Sequence, residues 1–307
     1  MPTSPRPEHA GTIVHLSGHY LPEAEAKISP QDRGFLFADG VYEVVRFYEG
    51  RFFLLEEHLA RLSNSLAGVA MTPGPEEQWP DWTQICDELL RRNDLYEQDG
   101  FLYLQVTRGA ARRSHAFPPP EVPPTTYAYV WARPRSADDA RRRDGVAVIS
   151  HPDQRWARCD IKSVALLPNV LAQETARRRG CYEALLFRED GTVTEGSHSS
   201  LFAVRNGEVW THPLSERVLP GITRSYVLDL AREDGVTVRE EPFTLQDVRG
   251  AEELFLTGTG SEIAPVIRLD EERVGSGAPG PITRRLQDLF EEEVASFRQF
   301  ARTATYH

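Results

Sequence analysis

Over residues 1–131 the chain mixes two hydrophobic periods, one typical of strands and one typical of helices. Segments 41–47 and 101–107 are rich in Val, Tyr, Phe and Leu, which predicts two β-strands. Between them, apolar side chains recur at spacings of three and four residues, which predicts a helix with one buried stripe. The residues of that stripe are Leu55, Leu59, Leu62, Leu66 and Val69.

A second helix and one more strand complete this first region. Asp81 is a suitable N-cap for the helix, because its side chain can accept a hydrogen bond from a free N–H of the first turn. A proline-rich loop follows at 116–124, and segment 126–131 predicts the strand. Residues 132–144 are then polar, charged and without periodicity, so we predict an interdomain linker there.

Short strand-like runs dominate residues 145–307, beyond the predicted linker. They are separated by helical patterns, and the last helix carries an apolar face that extends to Phe300. The predicted strands are 146–149, 183–187, 200–204 and 253–257, and the predicted helices are 170–179, 223–233 and 282–301. The pattern therefore indicates two α/β-type domains, 1–131 and 145–307.

Composition narrows the class of protein. The 307 residues are 40% hydrophobic and 26% charged, as in a soluble globular protein, and no run approaches the roughly 20 apolar residues of a spanning helix. The net charge of −11 argues against nucleic-acid binding, which requires a basic face. The polar stretch 1–11 lacks the apolar core of a signal peptide, and no role is predicted for it. Cys86, Cys159 and Cys181 show no metal-type pairing and indicate reduced thiols, so we expect a cytoplasmic protein.

Lysine is scarce in this chain. Of its 35 basic residues only Lys27 and Lys162 are lysines, so chemistry that needs a primary side-chain amine has two candidates. A guanidinium cannot replace an amine in an imine, because it stays protonated. Lys162 has Ile161 and Val164 close by, which suits a Schiff base with a carbonyl substrate or with pyridoxal phosphate. A structural lysine paired with a carboxylate is the alternative, and Lys27 lies in a polar segment typical of a solvated or ion-paired residue.

Other groups suit a phosphorylated cofactor, and each also has a purely structural interpretation. Glu195 offers a carboxylate that would stabilise a protonated ring nitrogen, or is a solvated loop residue. Residues 221–223 precede a helix and can face an anion, or simply cap that helix. The small-residue loop 257–261 can wrap a phosphate, but it lacks the GK[ST] and GxGxxG patterns of nucleotide sites. Arg61 offers a cation for the phosphate, or lies on the surface.

Arg113 and His115 lie on a proline-stiffened loop after a strand. A guanidinium beside an imidazole forms a reasonable carboxylate clamp, and an exposed basic loop is the alternative. The EGSHSS segment does not match the GxSxG pattern of serine hydrolases, and no HExxH or Cys/His cluster indicates a catalytic metal.

These motifs occur together in one family. The sequence resembles the class IV pyridoxal-phosphate-dependent aminotransferases, and within that group it is most similar to the D-amino-acid aminotransferases. The similarity extends from about residue 28 to residue 297, in segments that keep the same order. Those segments are ISPQDRGFLFADGVYEVVRFYEGRFF, EEHLARL, LQVTRGAARRSHAFP, RCDIKSVALLPNVLAQETA, GCYEALL, TVTEGS, LPGITR and TGTGSEIAPV.

The resemblance implies fold type IV, with a smaller N-terminal α/β domain and a larger C-terminal pseudo-barrel α/β domain. It also implies pyridoxal 5'-phosphate as the cofactor, held by Lys162 as an internal aldimine, with the same amine later moving the substrate proton. Glu195 matches the carboxylate that faces the pyridine nitrogen. The further cofactor-binding residues implied are Arg61, Ile222, Thr223 and Thr259.

For the substrate, the resemblance implies three residues. Tyr42 matches a tyrosine that contacts the substrate, and Arg113 and His115 match the pair that binds the α-carboxylate. In relatives their loop reaches the active site of the neighbouring subunit, which implies a homodimer with shared active sites. The implied reaction is a ping-pong transfer of the amino group from a D-amino acid, such as D-alanine or D-glutamate, to 2-oxoglutarate or pyruvate.

Alternatives on the same fold remain open. They are a branched-chain L-amino-acid aminotransferase, an (R)-selective amine transaminase and an aminodeoxychorismate lyase, and the Arg113-x-His115 pair favours the D-type over them. A more remote alternative is a non-catalytic pyridoxal-phosphate-binding protein. Retention of Lys162, Glu195 and Tyr42 argues against that last class.

Three positions depart from the pattern of many relatives. His198 and Ser200 stand in a segment that is elsewhere a serine-rich run ending in Asn, and Gly258 replaces a residue that often carries a hydroxyl. These positions bear on substrate preference rather than on cofactor binding.

Overall fold

A computed structural model of the protein describes residues 12–73 and 78–304, with 300–304 as backbone only. The polar stretch 1–11 and the side chain of Phe300, at the end of the predicted apolar face, lie outside the described residues.

By internal contacts the chain divides into two units. Unit 1 consists of Met1–Arg135 together with Ile161–Ala165, and unit 2 consists of Ser136–Asp160 together with Leu166–His307. The partition into domains around a linker at 132–144 stays a prediction. Unit 1 differs from the predicted first domain mainly by gaining the short segment that contains Lys162.

Unit 1 is built on a six-stranded antiparallel sheet in the order β2-β1-β6-β5-β3-β4. Helices α2 and α3 pack on the sheet, and the core between them contains Leu62, Leu89 and Leu104, all fully buried. The elements are β1 (Ile13–Leu16), β2 (His19–Pro22), a 3₁₀ turn (Glu23–Glu25), α1 (Arg33–Phe37), β3 (Gly40–Tyr48), β4 (Arg51–Phe52), α2 (Leu55–Gly68), α3 (Trp82–Arg92), β5 (Gly100–Thr107) and β6 (Thr125–Ala132).

Every element predicted for the first region is confirmed. Strands β3, β5 and β6 each extend the predicted segment by one or two residues, and α2 covers the predicted apolar stripe up to its C-cap, Val69. Asp81 caps α3, since its side chain accepts a hydrogen bond from the Gln84 N–H at 3.0 Å. The β1–β2 hairpin was not predicted; each of its strands has only four residues, too few to show a period.

Unit 2 is built on a ten-stranded mixed sheet in the order β12-β11-β10-β14-β15-β7-β8-β9-β13, with β16 paired to β15. The pairs β11–β12, β15–β7 and β7–β8 are parallel. The elements are a 3₁₀ turn that starts before the unit boundary (Arg135–Asp138), α4 (Asp139–Asp144), β7 (Val146–Pro152), α5 (Leu167–Arg178), β8 (Glu183–Phe187), β9 (Thr192–Gly196), β10 (Ser200–Arg205), β11 (Glu208–Thr211), α6 (Ile222–Glu233), β12 (Val238–Glu240), β13 (Phe243–Thr244), α7 (Leu245–Arg249), β14 (Glu253–Gly258), β15 (Glu262–Leu269), β16 (Glu272–Arg273) and α8 (Pro281–Ala304).

The predicted strands and helices of the second region are all present, so the α/β class is confirmed. The polar segment 132–144 contains the 3₁₀ turn and α4, which are too short and too polar to show a hydrophobic period. Among the described residues, no helix has the length and apolar character needed to span a membrane.

Candidate active site

The backbone around Lys162 is held by two elements of unit 1. The Lys162 carbonyl accepts a hydrogen bond from the Tyr42 N–H at 3.0 Å, and the Val164 N–H donates to the Gly40 carbonyl at 3.0 Å, so this segment runs beside the start of β3. The Lys162 N–H also donates to the hydroxyl of Ser65 on α2, at 3.2 Å. The lysine is therefore placed by long-range contacts and not by a helix or strand of its own.

The side chain of Lys162 lies over an aromatic ring and not beside a carboxylate. Its Nζ is 4.4 Å from the centre of the Tyr42 ring, which in turn stacks on Tyr103 with 5.8 Å between ring centres. Within residues 12–73 and 78–304, no hydrogen bond or ion pair to this amine is found. The structural alternative of a lysine paired with a carboxylate is therefore not what these residues show. An unpaired, half-buried amine is suited to act as a nucleophile.

Arg61 lies in a buried cluster of charged groups on the opposite face of β3. Its Nε donates to Glu43 Oε1 at 2.7 Å and its Nη2 donates to Glu43 Oε2 at 2.8 Å. His58, one turn earlier on α2, lies with Nδ1 2.8 Å from the same carboxylate. The positive charge that Arg61 would offer to a phosphate is therefore shared with Glu43.

The pKa values in this cluster follow from burial and pairing. Burial alone would raise the pKa of Glu43, but the Arg61 guanidinium and the contact with His58 lower it to about 2. Burial lowers the pKa of His58, partly offset by its hydrogen bond to Glu43. Sequence reasoning missed Glu43, although one signal was present. Val41, Glu43 and Val45 are spaced two residues apart, so they lie on the same face of β3, and that face is buried.

In unit 2, Glu195 lies on β9 with 5% of its surface exposed. Both of its carboxylate oxygens accept the Leu219 N–H at 3.2 Å, and Oε1 also accepts a hydrogen bond from Arg155 Nη1. The same guanidinium binds Asp153 at 2.9 Å. Burial raises the pKa of Glu195, and the adjacent Arg155 offsets only part of that rise. Glu195 is thus an oriented, buried carboxylate rather than a solvated loop residue.

The two small-residue loops of unit 2 meet at Ser200. Ser200 pairs with Thr257 in the sheet, and a Cβ placed on Gly221 would lie 2.8 Å from the Ser200 hydroxyl. Gly221 caps α6 without a side-chain hydrogen bond, so the first-turn N–H groups at Ile222 and Thr223 have no side-chain acceptor at the cap. Such a helix start attracts anions.

The end of strand β14 contains an unsatisfied polar atom. Thr257 Oγ1 is buried, and among the described residues it has no hydrogen-bond partner. Thr259 lies two residues further on, in the turn between β14 and β15. A buried hydroxyl without a partner is costly, so the end of β14 is a natural place for a bound group that accepts hydrogen bonds.

Glu183, in unit 2, is another buried carboxylate that sequence reasoning missed. It accepts hydrogen bonds from the His198 N–H at 2.7 Å and from the Ser199 hydroxyl at 2.9 Å, and thereby shapes the segment after Glu195. The available signal was a glutamate at the head of the otherwise apolar strand 183–187. His198, one of the departures from the family pattern, is half exposed beside it.

Arg113 and His115 both lie on an exposed loop of unit 1, against the same aromatic ring. The Arg113 guanidinium carbon is 5.2 Å from the centre of the Phe37 ring, and the His115 ring centre is 5.6 Å from it. The structure therefore brings the two predicted clamp residues together. Neither has an ion-pair partner in the described part of the chain, so both are available to a carboxylate.

The described residues contain no candidate metal site, since no group of three or more His, Cys, Asp or Glu side chains among them could hold an ion. The three cysteines, Cys86, Cys159 and Cys181, are free and buried.

Comparison with known proteins identifies similar chains. The sequence profile of the family described as "Amino-transferase class IV" matches residues 40–269. A D-alanine aminotransferase of Staphylococcus haemolyticus is 38% identical over 285 residues, covering 93% of this chain and 99% of the relative. A D-alanine aminotransferase of Staphylococcus aureus (strain MSSA476) is 40% identical over 285 residues, covering 92% and 98%.

A solved structure also has the same fold. The branched-chain amino acid aminotransferase from T.th., in complex with N-(5'-phosphopyridoxyl)-L-glutamate, superimposes with a TM-score of 0.82 at 28% identity. The match covers 93% of this chain and 95% of that one.

The buried Glu43 carboxylate should make the stability of the fold depend on pH. Because its pKa falls from a usual 4.5 to about 2 in the folded state, its contribution to stability is complete above about pH 4.5 and is lost as the pH falls toward 2. Glu43→Gln should lower the free energy of unfolding at pH 7 by about 3 kcal/mol, and the difference from wild type should narrow at pH 3. Denaturant titrations at both pH values measure it.

The matched control for that variant is Glu57→Gln, at an exposed position on α2, which should change stability little at either pH. A loss for Glu43→Gln that is the same at pH 7 and pH 3 would contradict the ionised, paired state of Glu43.

Proposed function

The chain belongs to the class IV aminotransferase family, and from that premise we propose that it is a D-amino-acid transaminase that uses pyridoxal 5'-phosphate. The amino group of a donor such as D-alanine or D-glutamate passes to 2-oxoglutarate or pyruvate. The observation that carries the proposal is the amine of Lys162, unpaired in the described residues and lying over the Tyr42 ring. Near full-length identity of 38–40% to enzymes named D-alanine aminotransferases supports the choice of substrate.

The residues of this chain fit the cofactor. The partnerless Thr257 hydroxyl and the α6 N-terminus without a side-chain cap are suited to phosphate oxygens, with Ile222, Thr223 and Thr259 as the proposed ligands. Arg61 would add positive charge, shared with Glu43. Buried Glu195, with its raised pKa, would hold a proton shared with the pyridine nitrogen.

Lys162 is the proposed catalytic residue. When bound, pyridoxal phosphate supplies a carbonyl carbon for the amino group and a ring that withdraws electrons from the substrate α-carbon. Lys162 Nζ would hold the cofactor, and its amine would accept the substrate α-proton. Its carbonyl accepts a hydrogen bond from β3 and its N–H donates one to α2, and together they fix the point from which the amine would reach that proton.

Tyr42, Arg113 and His115 are the proposed substrate-binding residues. A guanidinium and an imidazole on one loop can hold both oxygens of an α-carboxylate, and this orients the donor so that one face of its α-carbon meets the base. We propose that this loop serves the site of a second copy of the chain, in a homodimer with shared active sites. A cytoplasmic location is also proposed, and the free, buried cysteines support it.

A branched-chain L-amino-acid aminotransferase is the second candidate function. The TM-score of 0.82 to a solved enzyme of that name favours it, but fold alone does not determine substrate. His198, Ser200 and Gly258 are the positions where the preferred side chain would be decided. Gly258 lets its loop pack closely, since a Cβ there would lie 3.2 Å from the Ser261 hydroxyl and 3.8 Å from the Ser199 Cβ.

Substrate choice is tested directly on the purified, pyridoxal-phosphate-loaded protein. D-Alanine should convert the visible absorption of the bound cofactor to that of pyridoxamine phosphate, whereas L-leucine should leave it unchanged. Conversion by L-leucine and not by D-alanine would establish the second candidate in place of the first.

The assignment of Lys162 is tested by Lys162→Arg, which keeps the charge and removes the amine. Turnover should fall by at least ~100-fold, the lower range for loss of a positioned acid–base group. Lys27→Arg is the matched control, because Lys27 is the other lysine and is exposed, and it should retain full activity. Comparable activity in the two variants would refute the role of Lys162.

The shared site is tested by mixing two inactive variants, Lys162→Arg and Arg113→Ala. If one protomer's loop serves its partner's lysine, each mixed dimer regains one intact site, and random mixing should restore about a quarter of wild-type activity. Mixing after co-refolding, followed by a transaminase assay, measures this. No recovery in proven mixed dimers would place the loop and the lysine of one site on the same chain.

A further inference from the structure

The loop that carries Arg113 and His115 is held through its backbone by one buried arginine. Arg33 Nη1 donates to the Ser114 carbonyl at 2.7 Å and to the Ala116 carbonyl at 3.3 Å. These two carbonyls lie on either side of His115, and the first directly follows Arg113. A single guanidinium nitrogen therefore holds the backbone on both sides of His115.

Arg33 is itself fixed in place. Only 4% of its surface is exposed, and its Nε donates to Asp39 Oδ2 at 2.7 Å. Asp39 also accepts Arg108 Nε at 2.9 Å, and Arg108 in turn donates to the carbonyls of Val69 and Ala70. Asp39 thus joins two arginines, one directed at the clamp loop and the other at the C-terminal end of α2.

The charge of Asp39 supports this arrangement. Burial opposes ionisation of Asp39, but the hydrogen bonds from Arg108 and Arg33 hold its pKa below the usual range. At neutral pH the carboxylate is therefore ionised and keeps the Arg33 fork oriented. A lysine could not make the same set of contacts, because its ammonium is a point charge and lacks the planar fork.

Helix α1 supplies both the arginine and the surface on which the clamp side chains lie. Phe37, four residues after Arg33, contacts Arg113 and His115, and the Arg33 guanidinium carbon is 4.8 Å from its ring centre. Arg33 therefore fixes the loop backbone, while Phe37 provides a floor for the side chains that the loop presents.

The position of α1 on the sheet is also closely determined. The N-cap Asp32 is 1% exposed and accepts hydrogen bonds from the hydroxyls of Thr107 and Thr125, at 2.9 and 2.7 Å. A Cβ on Gly34 would collide with the Thr107 methyl group, so the helix approaches β5 as closely as the backbone allows. The position of Arg33 relative to the sheet is therefore closely constrained.

We infer that Arg33, oriented by Asp39, is a positioning residue for the carboxylate clamp: it does not touch the substrate but sets where Arg113 and His115 meet the substrate carboxylate. The inference rests on the proposed function, in which that pair binds the α-carboxylate. Effects of Arg33 should accordingly depend on whether the donor has a carboxylate at all.

The test compares two amino donors, D-alanine and D-alaninol, in the variant Arg33→Gln. D-Alaninol keeps the amine and the chirality of D-alanine but lacks its carboxylate. The KM for D-alanine should rise by ~10- to 100-fold, the cost of a clamp displaced by about 1 Å. The rate constant for D-alaninol, followed by loss of the cofactor's visible absorption, should stay within about twofold of wild type. Arg33→Lys is a milder variant, for use if Arg33→Gln does not fold. It should also raise the KM for D-alanine and leave the rate constant for D-alaninol nearly unchanged.

A second readout does not depend on the cofactor or on activity. Trypsin should cleave Arg33→Gln after Arg112 or Arg113 faster than wild type, as identified by mass spectrometry of the fragments. Arg284→Gln is the matched control, because Arg284 also donates to two backbone carbonyls, those of Arg142 and Arg143, in unit 2. It should affect neither the D-alanine KM nor this cleavage.

If Arg33→Gln impairs the reactions of D-alanine and D-alaninol equally, or leaves cleavage of the loop unchanged, the positioning role is overturned. Arg33 would then be a general stabilising residue. A wild-type protein that fails to react with D-alanine would instead contradict the proposed function. The two failures are thus distinguishable, since the first is read from the variants and the second from the unmodified enzyme.

Discussion

The buried ion pair between Glu43 and Arg61 fixes strand β3 and helix α2 relative to each other, and the position of Lys162 depends on both elements. Tyr42, next to Glu43, donates its N–H to the Lys162 carbonyl, and Ser65, one turn after Arg61, accepts the Lys162 N–H. The two faces of one strand thus serve different purposes. Glu43 turns inward to hold the helix, while Tyr42 turns outward and lies beneath the amine.

In the second unit, a buried carboxylate is held by polar partners instead of by water. Glu195 is satisfied by a backbone N–H and by Arg155, so burial does not leave it without partners. Around Ser200 the reverse holds, because Thr257 has a buried hydroxyl with no partner in the described chain and Gly221 offers no side-chain cap. A region that satisfies its carboxylate and leaves donors open is suited to a phosphorylated ring.

Arginine and lysine make different contacts in this structure. Arginines make the structural links, because a guanidinium can bind a carboxylate and backbone carbonyls at once, as Arg33 and Arg108 do. Lys162 does none of this in the described structure, since its amine has neither a carboxylate nor a carbonyl partner there. An amine without such a partner is available for chemistry.

The amino-acid sequence by itself determined the local elements and the candidate amine. Apolar spacing predicted α2 and the flanking strands, and Asp81 marked the start of α3. Composition left two lysines, and the apolar neighbours of Lys162 favoured it over Lys27. It could not supply the partners of charged groups, because Glu43 and Arg61 are 18 positions apart and Arg33 reaches carbonyls more than 80 positions away. Which charges meet, which loops they hold and which donors stay open are decided only when the elements pack. Hydrophobic period determines each element separately, whereas hydrogen bonds between elements require their final positions.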